Sequence, residues 1–387
     1  VGQLLSRWVC IMNLLFVIDV FNSGGREKVI SDLANCCFKA GHTVTVLILD
    51  GGQSDYVKNL EVGILYKKFN ILNNGRFTLN PITYAKLGLY IKKNKPDIIH
   101  YHLYAFRLLL CSLISKLFFI SAQQVRTVHT SGLFYEERTS FLNRVRLGSE
   151  KIAAKLSDLS VIGISKQIHE NNIHFFHSYT NKLFRIYNGI DISSYYYEIN
   201  RNAKDKKTIF IYLARLVDGK NHDFLLNIWS YFIKEHKNAE LLIVGDGELK
   251  DMLEHLADNL KLHDSVKFLG HISDVRHVLA SANIALFPSS YEGFSISLLE
   301  YFASSLPVVA HDIPAFSEIS THGENIYLIP MFNADSYLSA MSSLYCDAPL
   351  RQLMGEKARL VAEQFSLERF SLEHLSLYKN LLTGEYK

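Results

Sequence analysis

The stretch Ile284-Ala-Leu-Phe-Pro-Ser-Ser-Tyr-Glu-Gly-Phe-Ser-Ile-Ser-Leu-Leu-Glu300 reads as three parts of one supersecondary unit. Ile284 to Pro288 is a short apolar run, as expected of a strand buried on both faces. Ser289 to Phe294 is a loop of small residues, and near Ser295 an apolar helix begins whose first amides have no partner within the helix. Strand, loop and helix N-terminus in that order belong to an open α/β sheet, whose ligands lie beyond the carboxyl ends of the strands. The amides of Gly293, Phe294, Ser295 and Ile296 would there receive an anion. Glu292 stands beside them, and Glu300 follows about two helical turns on, so the two carboxylates can reach different ends of one elongated ligand. A single acid in such a place is more often a complement to the helix dipole.

The same alternation extends in both directions. Thr208 to Leu213, Glu240 to Val244, Val266 to Leu269 and Pro307 to Ala310 are further apolar runs separated by helical patterns. In the first half, Leu14 to Ile18, a helix from about Glu27 to Ala40, Thr43 to Leu49, Ile98 to His100, Gln124 to His129 and Leu159 to Ile164 repeat the theme. Between them the polar stretch Tyr195 to Lys207 lacks apolar periodicity. Expected, therefore, are two α/β domains, residues 1–195 and 208–365, joined by a linker at 196–207, with a final helix at 366–387 packing back on the first domain. A chain of 387 residues, 48% hydrophobic, has the size for two such cores.

Charge is unevenly divided. Residues 1–190 hold 23 Lys and Arg against 12 Asp and Glu, whereas residues 191–387 hold 18 against 26. A basic first half is either a solvated surface or one that attracts anionic lipid or a phosphorylated acceptor; it has neither contiguous Lys/Arg runs nor a nucleic-acid module, so DNA and RNA are not expected partners. Phe175-Phe176 and Tyr195 to Tyr197 read as aromatics exposed for membrane docking, with core packing the competing reading for the phenylalanines. Five cysteines, odd in number and without a C-x-x-C pair, suggest neither a disulfide framework nor a zinc site and fit a reducing cytoplasm. The apolar stretch before Asp19 reads as a buried strand rather than a secretory leader, and the eleven residues ahead of Met12 as an extension outside the fold. Leu108 to Ile120 is too short and too interrupted to span a bilayer.

Two further constellations fall at strand ends. Asn22-Ser23-Gly24-Gly25 follows a strand and precedes a helix, where amides and dipole favour a pyrophosphate, although a tight connection would look the same. Arg215 and Lys220, in Ala-Arg-Leu-Val-Asp-Gly-Lys-Asn, follow the first strand of the second domain and could offset the charge of a departing diphosphate. Gly245-Asp246-Gly247 lacks the third glycine of a dinucleotide fingerprint, which disfavours a nicotinamide dehydrogenase.

Taken jointly, these motifs resemble the family 4 retaining glycosyltransferases of GT-B fold. Glu292 and Glu300 have that family's E-x7-E spacing, and its pattern is matched in order by Gly24-Gly25, Asn188-Gly-Ile-Asp, Arg215 with Lys220, Val244-Gly-Asp-Gly, Phe268-Leu-Gly-His and Pro307-Val-Val-Ala. The resemblance, which runs from about residue 13 to 370, implies two Rossmann-like doubly wound domains facing each other across a cleft. It implies that Arg215 and Lys220 hold a donor diphosphate, Glu300 the nucleotide ribose and Glu292 the sugar hydroxyls. Gly24, Gly25 and the amides of Gly293 to Ile296 would contact sugar and phosphate, Gly270, His271 and Ile272 would flank the base, and His129 would be the active-site histidine near the sugar. Ser295 replaces a glycine common in the family, and His311 to Glu318 is its variant loop without a Gly-Gly pair, which leaves the donor sugar open.

The expected reaction moves a hexose or N-acetylhexosamine from a UDP-sugar or GDP-sugar to a glycan or lipid-linked acceptor with retention, in surface polysaccharide or lipopolysaccharide assembly. No metal is expected, since two cations stand where a divalent ion would and no D-x-D cluster occurs. The expected location is the cytoplasm, peripheral at the inner face of the plasma membrane. A nucleotide-sugar epimerase of the same architecture and a silent nucleotide-sugar-binding partner are the competing readings.

Overall fold

Short β-branched runs become strands and the amphipathic stretches between them become covering helices. The computed structural model describes residues 10–22, 24–50, 55–73, 76–77, 80–129, 141–195 and 207–385. Residues 1–9 of the expected extension, Ser23 of the glycine turn, Tyr196, Tyr197 and linker residues 196–206 lie outside the described residues. The chain forms two compact units, one drawn from Val1–Asn188 with Leu367–Lys387 and the other from Gly189–Ser366.

The first unit holds β1 (Asn13–Ile18), β2 (Thr43–Asp50), β3 (Leu65–Asn73), β4 (Arg76–Phe77), β5 (Ile98–His102), β6 (Gln123–Val128), β7 (Ser160–Gly163) and β8 (Leu183–Arg185). Their order is β4-β3-β2-β1-β5-β6-β7-β8, parallel except for the β3–β4 edge pair. The direction of winding reverses between β1 and β5, which pair in register from Leu14 with Ile98 to Ile18 with His102. Its helices are α1 (Gly25–Lys39), α2 (Pro81–Asn94), α3 (Ala105–Leu117), α4 (Phe141–Ser157) and α5 (Lys166–Phe176). Asn80 starts α2 by accepting from the Ile82 amide, with Pro81 in the first turn, where no amide hydrogen is needed.

The second unit is an all-parallel sheet of β9 (Thr208–Leu213), β10 (Ala239–Val244), β11 (Val266–Phe268), β12 (Ile284–Phe287), β13 (Val308–His311) and β14 (Ile326–Ile329). The order β11-β10-β9-β12-β13-β14 places its winding reversal between β9 and β12. The covering helices are α6 (His222–Glu235), α7 (Lys250–Asn259), α8 (Arg276–Ser281), α9 (Ile296–Ala303), α10 (Pro314–Ser317), α11 (Ala334–Cys346) and α12 (Ala348–Glu363). Buried tyrosines tie strand ends to this layer: Tyr301 Oη accepts from the Leu213 amide at 2.6 Å, and Tyr337 Oη accepts from Phe287 N at 3.1 Å while donating to Val309 O at 2.7 Å. A short break separates α12 from α13 (Leu367–Thr383), which belongs to the first unit and packs on α1.

Of the aromatics read as exposed, the three that are described are not so. Phe175 and Phe176 are buried at the end of α5, stacked edge to face, and Tyr195 is buried as well. An apolar helical face with this spacing goes to the core, as the competing reading for the phenylalanines held. Among the described residues no helix is long and apolar enough to cross a membrane.

Candidate functional site

In the second unit the loops after β9 and β12 meet at the reversal of the sheet, where side chains of neighbouring strands diverge and leave room for a ligand. They are stitched by hydrogen bonds. Asn221 Nδ2 donates to Pro288 O at 2.6 Å and to Ser290 Oγ at 2.7 Å, Ser290 N donates to Gly219 O at 2.9 Å, and the buried Tyr212 hydroxyl donates to Lys220 O at 2.7 Å. This frame brings Lys220 Nζ to 2.5 Å from Glu292 Oε1, both side chains largely covered. Arg215, in the same loop, is exposed. Two residues 72 positions apart thus form one charged centre, and the loop that supplies the lysine carries a second cation.

Ser295 is the N-cap of α9: its Oγ accepts from the Leu298 amide at 3.2 Å, so the helix proper starts at Ile296. The serine that departs from the family's glycine thus has a use of its own, fixing the helix N-terminus next to Glu292 and Gly293. Phe294 is buried against Phe365 and anchors the loop. Glu300, one turn into α9, is buried and accepts a hydrogen bond of 2.8 Å from Tyr195 Oη. Sequence reasoning missed Tyr195 as a site residue; it lies 105 positions from its partner, and no local pattern signals the contact.

Gly245-Asp246-Gly247 supports this site without being a dinucleotide loop. Gly245 has φ +146°, and a Cβ there would lie 1.9 Å from Ala214 O. The close approach lets Leu216 N donate to Asp246 O at 3.0 Å and Gly245 N to Gly270 O at 2.8 Å. The loop bearing Arg215 and the loop of Gly270, His271 and Ile272 are thereby joined along the carboxyl edge of the sheet.

In the first unit Gly24 and Gly25 open α1, and Gly24 O accepts the first helical hydrogen bond from Lys28 N at 3.0 Å. Beside this turn lies an ion network that sequence reasoning did not foresee. The buried carboxylate of Asp19 accepts from Arg26 at 3.0 Å and from Arg107, and Arg26 also reaches Glu27 at 2.8 Å. Burial works against the Arg26 charge, but Asp19 and Glu27 more than offset it and hold its pKa above the ordinary value. Nearby, buried Arg126 makes a bidentate pair with Glu150 at 2.9 and 3.0 Å, and Glu150 also accepts from Ala105 N.

His129 follows β6 and sits in a file of histidines. His102 Nδ1 lies 2.9 Å from His129 Nε2, and the His100 ring lies tilted against His102 with centroids 4.3 Å apart while bonding Tyr378 Oη at 2.6 Å and Thr127 Oγ1 at 2.8 Å. Burial pushes His129 down to about 3, with Arg26 and Arg126 adding to the effect, and burial lowers His100, His102 and His374 too. These rings are neutral near pH 7. One tautomer is favoured: His102 Nε2 is buried without a partner among the described residues, and an orphaned N–H costs more than an orphaned lone pair. The shared proton therefore belongs on His102 Nδ1, donated to His129 Nε2, which leaves the one N–H of neutral His129 on its Nδ1.

Two doubly wound α/β units, each with polar groups gathered at the carboxyl edge where its winding reverses, define a protein of GT-B fold. Family models agree along almost the whole chain: glycosyltransferase family 4 matches residues 23–194 and glycosyl transferases group 1 matches residues 198–361. The chain belongs to this family and is a glycosyltransferase. A glycosyltransferase of Haemophilus influenzae is 25% identical over 92% of this chain and 96% of its own. The capsular polysaccharide biosynthesis glycosyltransferase CapH of Staphylococcus aureus is 27% identical over 80% of this chain and 84% of its own. Among solved structures, HepE of Anabaena in complex with UDP superposes with a TM-score of 0.78 over 95% of this chain and all of its own, at 20% identity.

Proposed function

We propose that this glycosyltransferase moves a hexose or N-acetylhexosamine from a UDP-sugar or GDP-sugar to a glycan or lipid-linked acceptor with retention of anomeric configuration, in surface polysaccharide or lipopolysaccharide assembly. The observation that carries the reading is the centre at the β9/β12 reversal: Lys220 paired with Glu292, Arg215 exposed in the same loop as Lys220, and a capped helix N-terminus three residues after Glu292. CapH and the UDP complex of HepE support the acceptor context and the donor class.

In the proposed reaction the anomeric C–O bond to the diphosphate breaks while the acceptor oxygen bonds to the same face of the sugar, and the acceptor's proton passes to the departing phosphate oxygen. Arg215, Lys220 and the amides of Gly293 to Ile296 offset the charge that grows on that oxygen. Glu300, oriented by Tyr195, holds the ribose, Gly270 to Ile272 flank the base, and Glu292 takes the sugar hydroxyls. Gly24 and Gly25 present amides to sugar and phosphate, and His129 acts as a neutral hydrogen-bonding group near the sugar. With two cations at the diphosphate the reaction needs no metal, and a chelator leaves its rate unchanged. The proposed setting is the cytoplasmic face of an anionic membrane.

The test is a donor screen by mass spectrometry, with UDP-glucose, UDP-N-acetylglucosamine, UDP-galactose and GDP-mannose, for wild type and Glu300→Ala. Release of nucleoside diphosphate from one donor, lost in the variant, is the expected result. No release from any donor with lipid extract present would overturn the reading in favour of a silent binding partner.

A further inference from the structure

The three consecutive helices α2, α3 and α4 carry nine Lys and Arg but a single carboxylate, Glu150, which is buried against Arg126. They form one layer: α2 meets α3 where Gly88 faces the Phe118 ring, and α3 packs along α4. Helices that link parallel strands run antiparallel to them, so the last turns of all three gather at the edge from which the strands start. Asn13, the first residue of β1, accordingly bonds the carbonyl of Asn94 at the end of α2.

The outer faces at this edge are apolar as well as basic. On α2, Leu89 is exposed next to Lys92 and Lys93; on α4, Ile152 is exposed one turn before Lys155. On α3 Leu113 and Leu117 are one turn apart with Lys116 between them, and Leu117 is 72% exposed. Phe119 follows the helix with φ +51° and is 87% exposed. A left-handed residue also follows α2, Lys95 at φ +46°, and α4, Asp158 at φ +48°, so the backbone conformation is shared by all three helix ends and only the residue differs. Where its neighbours end on charged residues, α3 ends on a bulky ring that buries almost nothing within the chain.

We infer that this edge is a docking surface for an anionic lipid bilayer, in which Leu117 and Phe119 enter the headgroup layer and Lys92, Lys93, Lys116 and Lys155 meet the negative headgroups. The composition favours lipid over a protein partner. Protein interfaces are depleted in lysine, whereas long lysine stems flanking apolar side chains suit a bilayer interface, lying along the apolar region while their charge stays in water. The inference rests on the proposed membrane setting and deepens it by naming a tethering surface, which lies at the edge of the sheet opposite the carboxyl edge that bears Gly24, Gly25 and His129.

The test is co-sedimentation of the full chain with vesicles of phosphatidylcholine alone or mixed with phosphatidylglycerol, needing no sugar donor. Wild type is expected to sediment with the mixed vesicles and not with phosphatidylcholine alone. Lys92→Glu combined with Lys93→Glu and Lys116→Glu should lower partitioning by at least about a hundredfold, about fivefold for each lysine lost. Leu117→Ser with Phe119→Ser should lower it as well while leaving the melting temperature within a few degrees. If wild type stays in the supernatant with mixed vesicles, the membrane reading fails altogether. If wild type binds and both variants bind equally well, the membrane reading stands and this surface is wrong. Vesicle-independent self-association abolished by Leu117→Ser would assign the patch to a second copy and overturn the inference.

Discussion

The carboxyl edges of the two sheets handle charge in opposite ways. In the second unit a cation, Arg215, is left exposed, and the ion pair of Lys220 with Glu292 sits where the sheet opens. In the first unit the charges of Asp19, Arg26, Arg107 and Glu27 are tied to one another, and the adjoining histidines are held neutral by burial. One edge has fixed charge to offer a ligand; the other has neutral donors and acceptors in a fixed tautomeric order.

The contrast is most exposed to failure at Lys220. Lys220→Ala should lower kcat by about 10²–10³-fold, since a charge aimed at the leaving group acts chiefly in the transition state. A loss below tenfold in steady-state kinetics would mean that the second unit does not carry the charge. His129→Ala should cost less, roughly 10- to 100-fold in kcat/KM, because a neutral hydrogen bond is removed rather than a charge. The His102 partnership sharpens this point. Nitrogen-15 NMR of labelled histidines should show His129 protonated on Nδ1 in wild type, and His102→Ala should lose that single tautomer.

Acid should damage the first unit more than the second. Its folded-state histidine pKa values lie below the unfolded value of about 6.5, at about 3 for His129 and about 4 for His374. The unfolded chain therefore binds protons first: the stability these neutral rings confer is complete above pH 6.5 and is lost as pH falls toward 4. Each fully buried ring contributes on the order of 1–2 kcal/mol to that loss at pH 5. Among the described residues the second unit has two histidines lowered by burial, His222 and His311, against six in the first, where His42 and His169 join the four above. Hydrogen exchange at pH 7.5 and pH 5 should show amides of β5 and β6 losing protection before those of β9 and β12. The smallest effect is expected for Tyr195→Phe, which deletes one hydrogen bond to Glu300: donor KM should rise about three- to tenfold with kcat nearly unchanged.

The parts of the molecule that sequence made legible are those governed by local pattern. Continuous apolar runs such as Thr208 to Leu213, short and rich in β-branched and aromatic residues, read as strands covered on both faces, and the loops after them carry Arg215, Lys220 and Glu292. Edge strands were less legible. β3 contains Lys67 and Lys68 and is largely exposed along its first half, so neither continuous hydrophobicity nor clean alternation marks it. Least legible were contacts made by tertiary closure: Tyr195 with Glu300, Arg107 with Asp19, and His102 with His129 join residues 105, 88 and 27 positions apart. Burial hides in the same way. Phe175 and Phe176 look alike in sequence whether they face water or core, and packing of α5 on β7 and β8 decides it.

The membership of α13 in the first unit has a consequence for how the protein is made. His100 lies at the centre of that unit, yet the hydroxyl that satisfies its Nδ1 belongs to Tyr378, added to the growing chain 278 residues later. On the ribosome the second unit can close as soon as it emerges, while the first, begun earlier, waits with an uncovered face until the last helix arrives. A nascent chain halted before residue 367 should therefore carry a protease-resistant second unit and a first unit that is still open to cleavage.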